Sequence, residues 1–105
     1  MKYNLSEIMK TAWQFVKVNG FTMSEALKQA WLNIKLKVKM FKGVVKFYFE
    51  KVDGTVREAW GTLASRYIMA EPTGRGSSSP LVQCYWDCEK SAWRCYKIAN
   101  LLRIA

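Results

Sequence analysis

Apolar and polar positions change their period part-way along this chain. Up to residue 43 the apolar residues recur every three or four positions, as on one face of a helix; from Val44 they alternate, as in a half-buried strand. Leu5, Ile8, Met9, Ala12, Phe15 and Val16 mark a first helix. Asn4, with Glu7 three residues on, supplies side-chain oxygens for its first turn, and Asn19-Gly20 offers the left-handed residue on which helices commonly end. Thr22-Met23-Ser24-Glu25 reads as a capping box, with Phe21 and Ala26 placed to staple the entry. Leu27, Trp31, Ile34, Val38 and Phe41 then define the apolar face of a second helix that Gly43 ends. Lys28, Lys35, Lys39 and Lys42 run along a neighbouring strip. Residues 35–42 also alternate basic and apolar, as a strand would, but the face unbroken from Leu27 favours a helix.

In the second part, Val45, Phe47 and Phe49 alternate with Lys46, Tyr48 and Glu50 ahead of Asp53-Gly54, a strong hairpin signal. A two-residue turn there pairs Val52 with Thr55, Glu50 with Arg57 and Phe47 with Trp60. One face then carries Val45, Phe47, Phe49, Val56 and Trp60 as core; the other holds a Glu50–Arg57 ion pair in solvent. This register sets Glu58 on the apolar face, which is unexplained. Residues 63–69 are ambiguous, and 71–80, with both prolines, two glycines and three serines, read as a flexible loop. Strands resume at 81–87 and 92–98, and a symmetric turn sets Cys84 opposite Cys95 and Trp86 opposite Trp93. Residues 100–105 supply a last turn or strand. The expected fold is α+β: one domain over 1–105, with a helical hairpin (1–43) and a small antiparallel barrel of four to five strands (44–105), because so few strands bury an apolar face best by curling.

Composition narrows the chemistry. The 105 residues carry 17 Lys+Arg against 8 Asp+Glu, a net charge of +9. Residues 1–43 hold +6 of it and 44–105 hold +3. Such an excess points to an acidic partner: nucleic acid, an anionic membrane or an acidic protein surface. No apolar run reaches the length of a membrane span, so no membrane is expected as partner. The three cysteines, with no signal-type apolar leader before them, are expected as free thiols in a reducing cytoplasm, where a Cys84–Cys95 disulfide, though geometrically conceivable, is not expected.

There is no histidine, so the commonest general base and metal ligand is missing. Neither G-x-S-x-G nor a phosphate-binding glycine loop occurs before a helix start. Cys84, Cys88 and Cys95 lack the paired spacing and fourth ligand of a zinc site. No catalysis, metal or cofactor is therefore expected. The lysine strip can follow phosphates, dock on an acidic groove or simply be solvated. Gly74-Arg75-Gly76 offers one more cation in a flexible segment. Arg94, with Tyr85 and Tyr96 nearby, can form a basic–aromatic patch, though the same tyrosines equally suit the core. Strand parity places the Trp93/Cys95 face inward.

Asp53-Gly54-Thr55-Val56-Arg57-Glu58-Ala59-Trp60-Gly61-Thr62-Leu63 resembles the hairpin of a small phage and mobile-element family with an Sm-like, SH3-type barrel related to the WYL domain. Trp86-Asp87 and Trp93 to Leu101 are similar to its closing strands, in which the positions of Tyr96 and Ile98 face the core. Thr22 to Trp31 resembles a helix found in short phage proteins, and the combination is similar to type II anti-CRISPR proteins. The resemblance implies an SH3-like barrel and no catalytic residues. It implies a cytoplasmic inhibitor in a bacterial host that binds a Cas nuclease with its guide RNA and blocks target DNA binding or cleavage. The alternative is a nucleic-acid-binding or transcription-regulating barrel that contacts nucleic acid directly. Trp60 and residues 72–80 depart from the family pattern. Partner-binding candidates are Lys28, Lys35, Lys39, Lys42, Arg57, Arg75, Tyr85 and Arg94.

Overall fold

The capping box forms as the sequence demands. Thr22 Oγ1 accepts from the Glu25 amide at 3.2 Å, and Glu25 Oε1 accepts from the Thr22 amide at 3.0 Å. These bonds start α2 (Met23–Lys42) in a computed structural model that describes residues 5–69 and 81–105. Before it, α1 (Leu5–Asn19) ends on Gly20, whose φ of +69° lets the Phe21 amide return to the Phe15 carbonyl. Asn4 and the 71–80 segment lie outside the described residues. Five strands follow: β1 (Val45–Glu50), β2 (Val56–Thr62), β3 (Val82–Asp87), β4 (Ala92–Lys97) and β5 (Leu101–Ile104). Short 3-10 turns occupy Ser65–Tyr67 and Ile98–Asn100. The sheet is antiparallel in the order β4-β3-β2-β1-β5.

The sheet curls. β4 and β1 are three strand spacings apart in order, roughly 14 Å in a flat sheet. Yet the Tyr96 ring of β4 meets Phe47 and Phe49 of β1 at centroid distances of 5.5 Å. Tyr85 of β3 meets Phe47 edge-on at 5.2 Å. This aromatic knot fills the concave side. Gly61 of β2 sits against it, where an added Cβ would lie 2.6 Å from Tyr85 and 2.9 Å from Phe47, so only glycine fits.

The register of β1 with β2 differs by one residue from the sequence expectation: Phe47 pairs with Ala59, and Glu50 with Val56. The cause is the turn. The Gly54 amide bonds to the Lys51 carbonyl, the Lys51 amide bonds to the Thr55 carbonyl, and Gly54 has φ +89°. This is a three-residue loop with a left-handed glycine, not a two-residue turn. Asp53 Oδ1 fastens it by accepting from the amide and hydroxyl of Thr55. One extra residue reverses every facing on β2. Val56, Glu58 and Trp60 turn outward; Arg57, Ala59 and Gly61 turn inward. Glu58 then pairs with Lys46 at 3.6 Å in solvent, and the expected Glu50–Arg57 pair does not form.

The core face of α2 also differs. Ala26, Ala30, Asn33, Leu36, Val38 and Met40 are buried, whereas Leu27, Trp31 and Ile34 are half-buried and Phe41 is 43% exposed. Apart from Val38, the buried stripe lies one residue, about 100°, from the expected face. Small Ala26 and Ala30 join a core that includes Ile8, Ala12 and Phe15 of α1. Two amides replace apolar side chains on the sheet side. Gln29 Nε2 donates to the Ile98 and Leu101 carbonyls at 2.9 and 2.8 Å, and Asn33 Nδ2 donates to Ile98 at 2.8 Å. These carbonyls belong to the 3-10 turn and the start of β5, and they take side-chain donors. Tyr96 donates its hydroxyl to Asn33 Oδ1, completing the link from helix to barrel.

β3 and β4 pair as expected, Cys84 opposite Cys95 and Trp86 opposite Trp93. Two expectations change here. Tyr96 and Ile98 face the core while Cys95 is exposed, so the inward face is the one implied by the resemblance and not the one given by parity. Cys84 and Cys95 form a disulfide, and only Cys88 is a free thiol, in place of three free thiols. The β3–β4 register expected from the sequence brings the two sulfurs together; the assumption of a reducing compartment is what set the disulfide aside.

Candidate functional site

The site follows from the shifted hairpin. Because Arg57 turns inward, its guanidinium reaches across to β3 and bonds Asp87 through Nη2–Oδ2 at 2.7 Å. Asp87 is fully buried, and its second oxygen accepts the Glu89 and Lys90 amides at 3.0 Å, closing the β3–β4 turn. The carboxylate therefore has a partner on each side, as a buried charge requires. Burial works against the Arg57 charge more than any single contact favours it, but the Asp87 bond and charge together with the Tyr85 phenol outweigh it and raise the guanidinium above its ordinary pKa. Arg57 is a permanent, fixed cation.

β2 and β3 share only the pairs Gly61–Asp87 and Thr62–Trp86. Beyond them the two hairpins part, leaving a cleft of about 540 Å³. Phe49, Tyr85 and Tyr96 line it, with Lys51, Arg57, Arg94 and Lys97 against Glu50 and Asp53. Four cations against two carboxylates leave positive charge prevailing. The Tyr85 hydroxyl and Arg57 Nε are buried with no hydrogen-bond partner among the described residues. Leaving such a group unsatisfied costs about 1–3 kcal/mol. Burial first, and the Asp87 carboxylate second, push the Tyr85 phenol up, so it remains a donor. The Cys84–Cys95 disulfide joins the β3 and β4 wall, and Cys95 lines the cleft. Cys88, in the adjoining turn, is kept protonated by burial and by Asp87.

The cleft thus gathers Arg57, Tyr85 and Arg94, the last two being cross-strand partners. Lys28, Lys35, Lys39 and Lys42 lie exposed on α2, on a separate surface. Arg75 lies outside the described residues. Sequence reasoning missed Lys51 and Lys97 at the cleft and Asp87 beneath it. Lys51 could have been found from its place beside the hairpin turn; the Arg57–Asp87 pair, 30 residues apart, left no local signal.

Residues 33–102 match the model of WYL_2, a family with an Sm-like SH3 beta-barrel fold. The chain belongs to the WYL_2 family. The match takes in β1 to β4, the start of β5 and the cleft, and it begins midway along α2. The chain is also similar to an uncharacterized 11.5 kDa protein of Enterobacteria phage T4, 33% identical over 75 residues, covering 66% of this chain and 72% of that protein. No solved structure matches significantly. Among the described residues, no helix of this WYL_2 protein is long and apolar enough to cross a membrane.

Proposed function

We propose that this WYL_2 protein is a binding module, not an enzyme, and that its cleft holds the phosphate-bearing strand of a nucleic acid. The observation that carries this reading is the gathering of Arg57, Arg94, Lys51 and Lys97 around one cleft, with the buried Tyr85 hydroxyl beside Arg57. A phosphate oxygen accepts from guanidinium and ammonium groups alike, while the Phe49, Tyr85 and Tyr96 rings beneath them are buried and form the cleft floor. The test is fluorescence anisotropy with a labelled single-stranded oligonucleotide across a salt series. Binding should weaken steeply with salt, and Arg94→Ala should lower affinity about tenfold and flatten the salt slope by about one phosphate contact. Salt-independent binding, or none, refutes it.

The biological setting we propose is inhibition of a type II RNA-guided Cas nuclease, with guide-RNA phosphates as the anionic surface. It is supported by the resemblance of Thr22 to Trp31 and of the Asp53 hairpin to anti-CRISPR proteins, and it agrees with similarity to a phage protein. Retention of the nuclease–guide complex by the immobilised protein, with loss of target cleavage at stoichiometric amounts, is the expected result. Full cleavage at large excess excludes this setting while leaving nucleic-acid binding to be judged by anisotropy.

A further inference from the structure

A flank of α2, where Leu27, Trp31 and Leu32 pack against the edge of the core and remain partly exposed, forms a second surface. Leu27, Trp31 and Leu32 floor a shallow groove of about 380 Å³ walled by Lys28 and Lys35, and Phe41 extends the apolar ridge. Lys28, Lys35 and Lys42 recur every seven residues, close to two helical turns, so they stand in one row beside the ridge at intervals of about 10 Å. Glu25, the one carboxylate of the helix, is already occupied by the capping box.

An apolar ridge flanked by like charges at heptad spacing is one half of a two-helix seam: the ridge gives the contact area and the flank selects the partner. A second copy of α2 would set lysines against lysines. A phosphate backbone would desolvate Leu27 and Leu32 with nothing apolar to cover them. We propose that this face docks an acidic amphipathic helix of a partner protein, its apolar residues on Leu27, Trp31 and Leu32 and its carboxylates opposite Lys28, Lys35 and Lys42. The groove floor, Leu27, Trp31 and Leu32, lies ahead of the WYL_2 match, which begins at residue 33 and includes Lys35, and the proposal does not depend on what the cleft binds.

The test uses the full chain and a labelled synthetic helix of about three heptads, with Leu at the seam and Glu on its flanks. Comparison probes are the same helix with Gln for Glu, polyglutamate of equal length and a single-stranded oligonucleotide. The Leu/Glu helix should bind, and each of the two peptide controls should bind at least about tenfold more weakly. The double variant Lys28→Glu/Lys35→Glu, with unchanged circular dichroism, should lose about tenfold in affinity for the helix, whereas Arg94→Ala stays within about twofold. Failure of the helix to bind, equal binding of polyglutamate, or indifference to the lysine reversal overturns the proposal. Oligonucleotide binding that alone depends on Lys28 and Lys35 assigns the surface to nucleic acid and overturns it equally.

Discussion

The two basic surfaces of this molecule are built in opposite ways. In the cleft, Arg57 is pinned by a buried carboxylate, Arg94 stands across from Tyr85, and unpartnered donors face inward. On α2 the lysines project into solvent on flexible stems beside a half-exposed apolar ridge. Fixed donors discriminate geometry at close range; mobile ammonium groups answer to charge and average over many poses. Net charge alone treats the surfaces as one, while their anchoring separates a site with a defined ligand geometry from a face suited to an extended partner.

Removing the anchor should break the contrast most severely. Asp87→Asn leaves the Arg57 charge without its carboxylate and is expected to cost about 3 kcal/mol in urea denaturation. It should abolish cleft binding while helix docking on α2 changes little. Gly61→Ala comes next. Its methyl would press into Tyr85 and Phe47, an overpacking cost of about 2 kcal/mol, again with α2 docking retained.

A smaller effect sharpens the comparison instead. Tyr85→Phe removes a hydroxyl with no partner, so the free protein should melt at an equal or higher temperature, by up to about 1 kcal/mol, while oligonucleotide affinity falls. A lower melting temperature would mean the hydroxyl is already satisfied.

The smallest effect concerns acid. Thr22 holds the Glu25 carboxyl below its ordinary value of 4.5, and Thr55 holds Asp53 below 3.8. A depressed folded pKa stabilises above the unfolded value, and that contribution is lost as pH falls through the folded one. Urea midpoints should therefore decline below about pH 4.5, and Glu25→Gln should remove part of that slope without altering the cleft.

Much of this architecture was legible from local chemistry. Thr22 and Glu25 mark a helix start that needs no tertiary context, and strand alternation set Cys84 against Cys95 correctly. The failures share a cause: each was decided by something distant or by one residue of turn geometry. Asp53-Gly54 suits both a two-residue turn and a three-residue loop, and that single step moved Arg57 from solvent into the cleft wall. On α2, hydrophobic size favoured Leu27 and Trp31, but the core chose Ala26, Ala30 and Asn33. Close helix packing rewards small residues, and bare carbonyls near Ile98 require an amide. Of the candidate site, Arg94 and Tyr85 were named together as a basic–aromatic patch, but nothing in the sequence said that Arg57 would join them.

The short seam between β2 and β3 has a mechanical meaning. Two stiff plates, one bolted by the Cys84–Cys95 bridge, share ladder pairs only near Gly61 and Trp86 and are otherwise riveted through Tyr85, Tyr96 and the Arg57–Asp87 bond. Widening the mouth would have to break that aromatic packing and that ion pair, so the breadth of the cleft is set by the core beneath it rather than by a hinge.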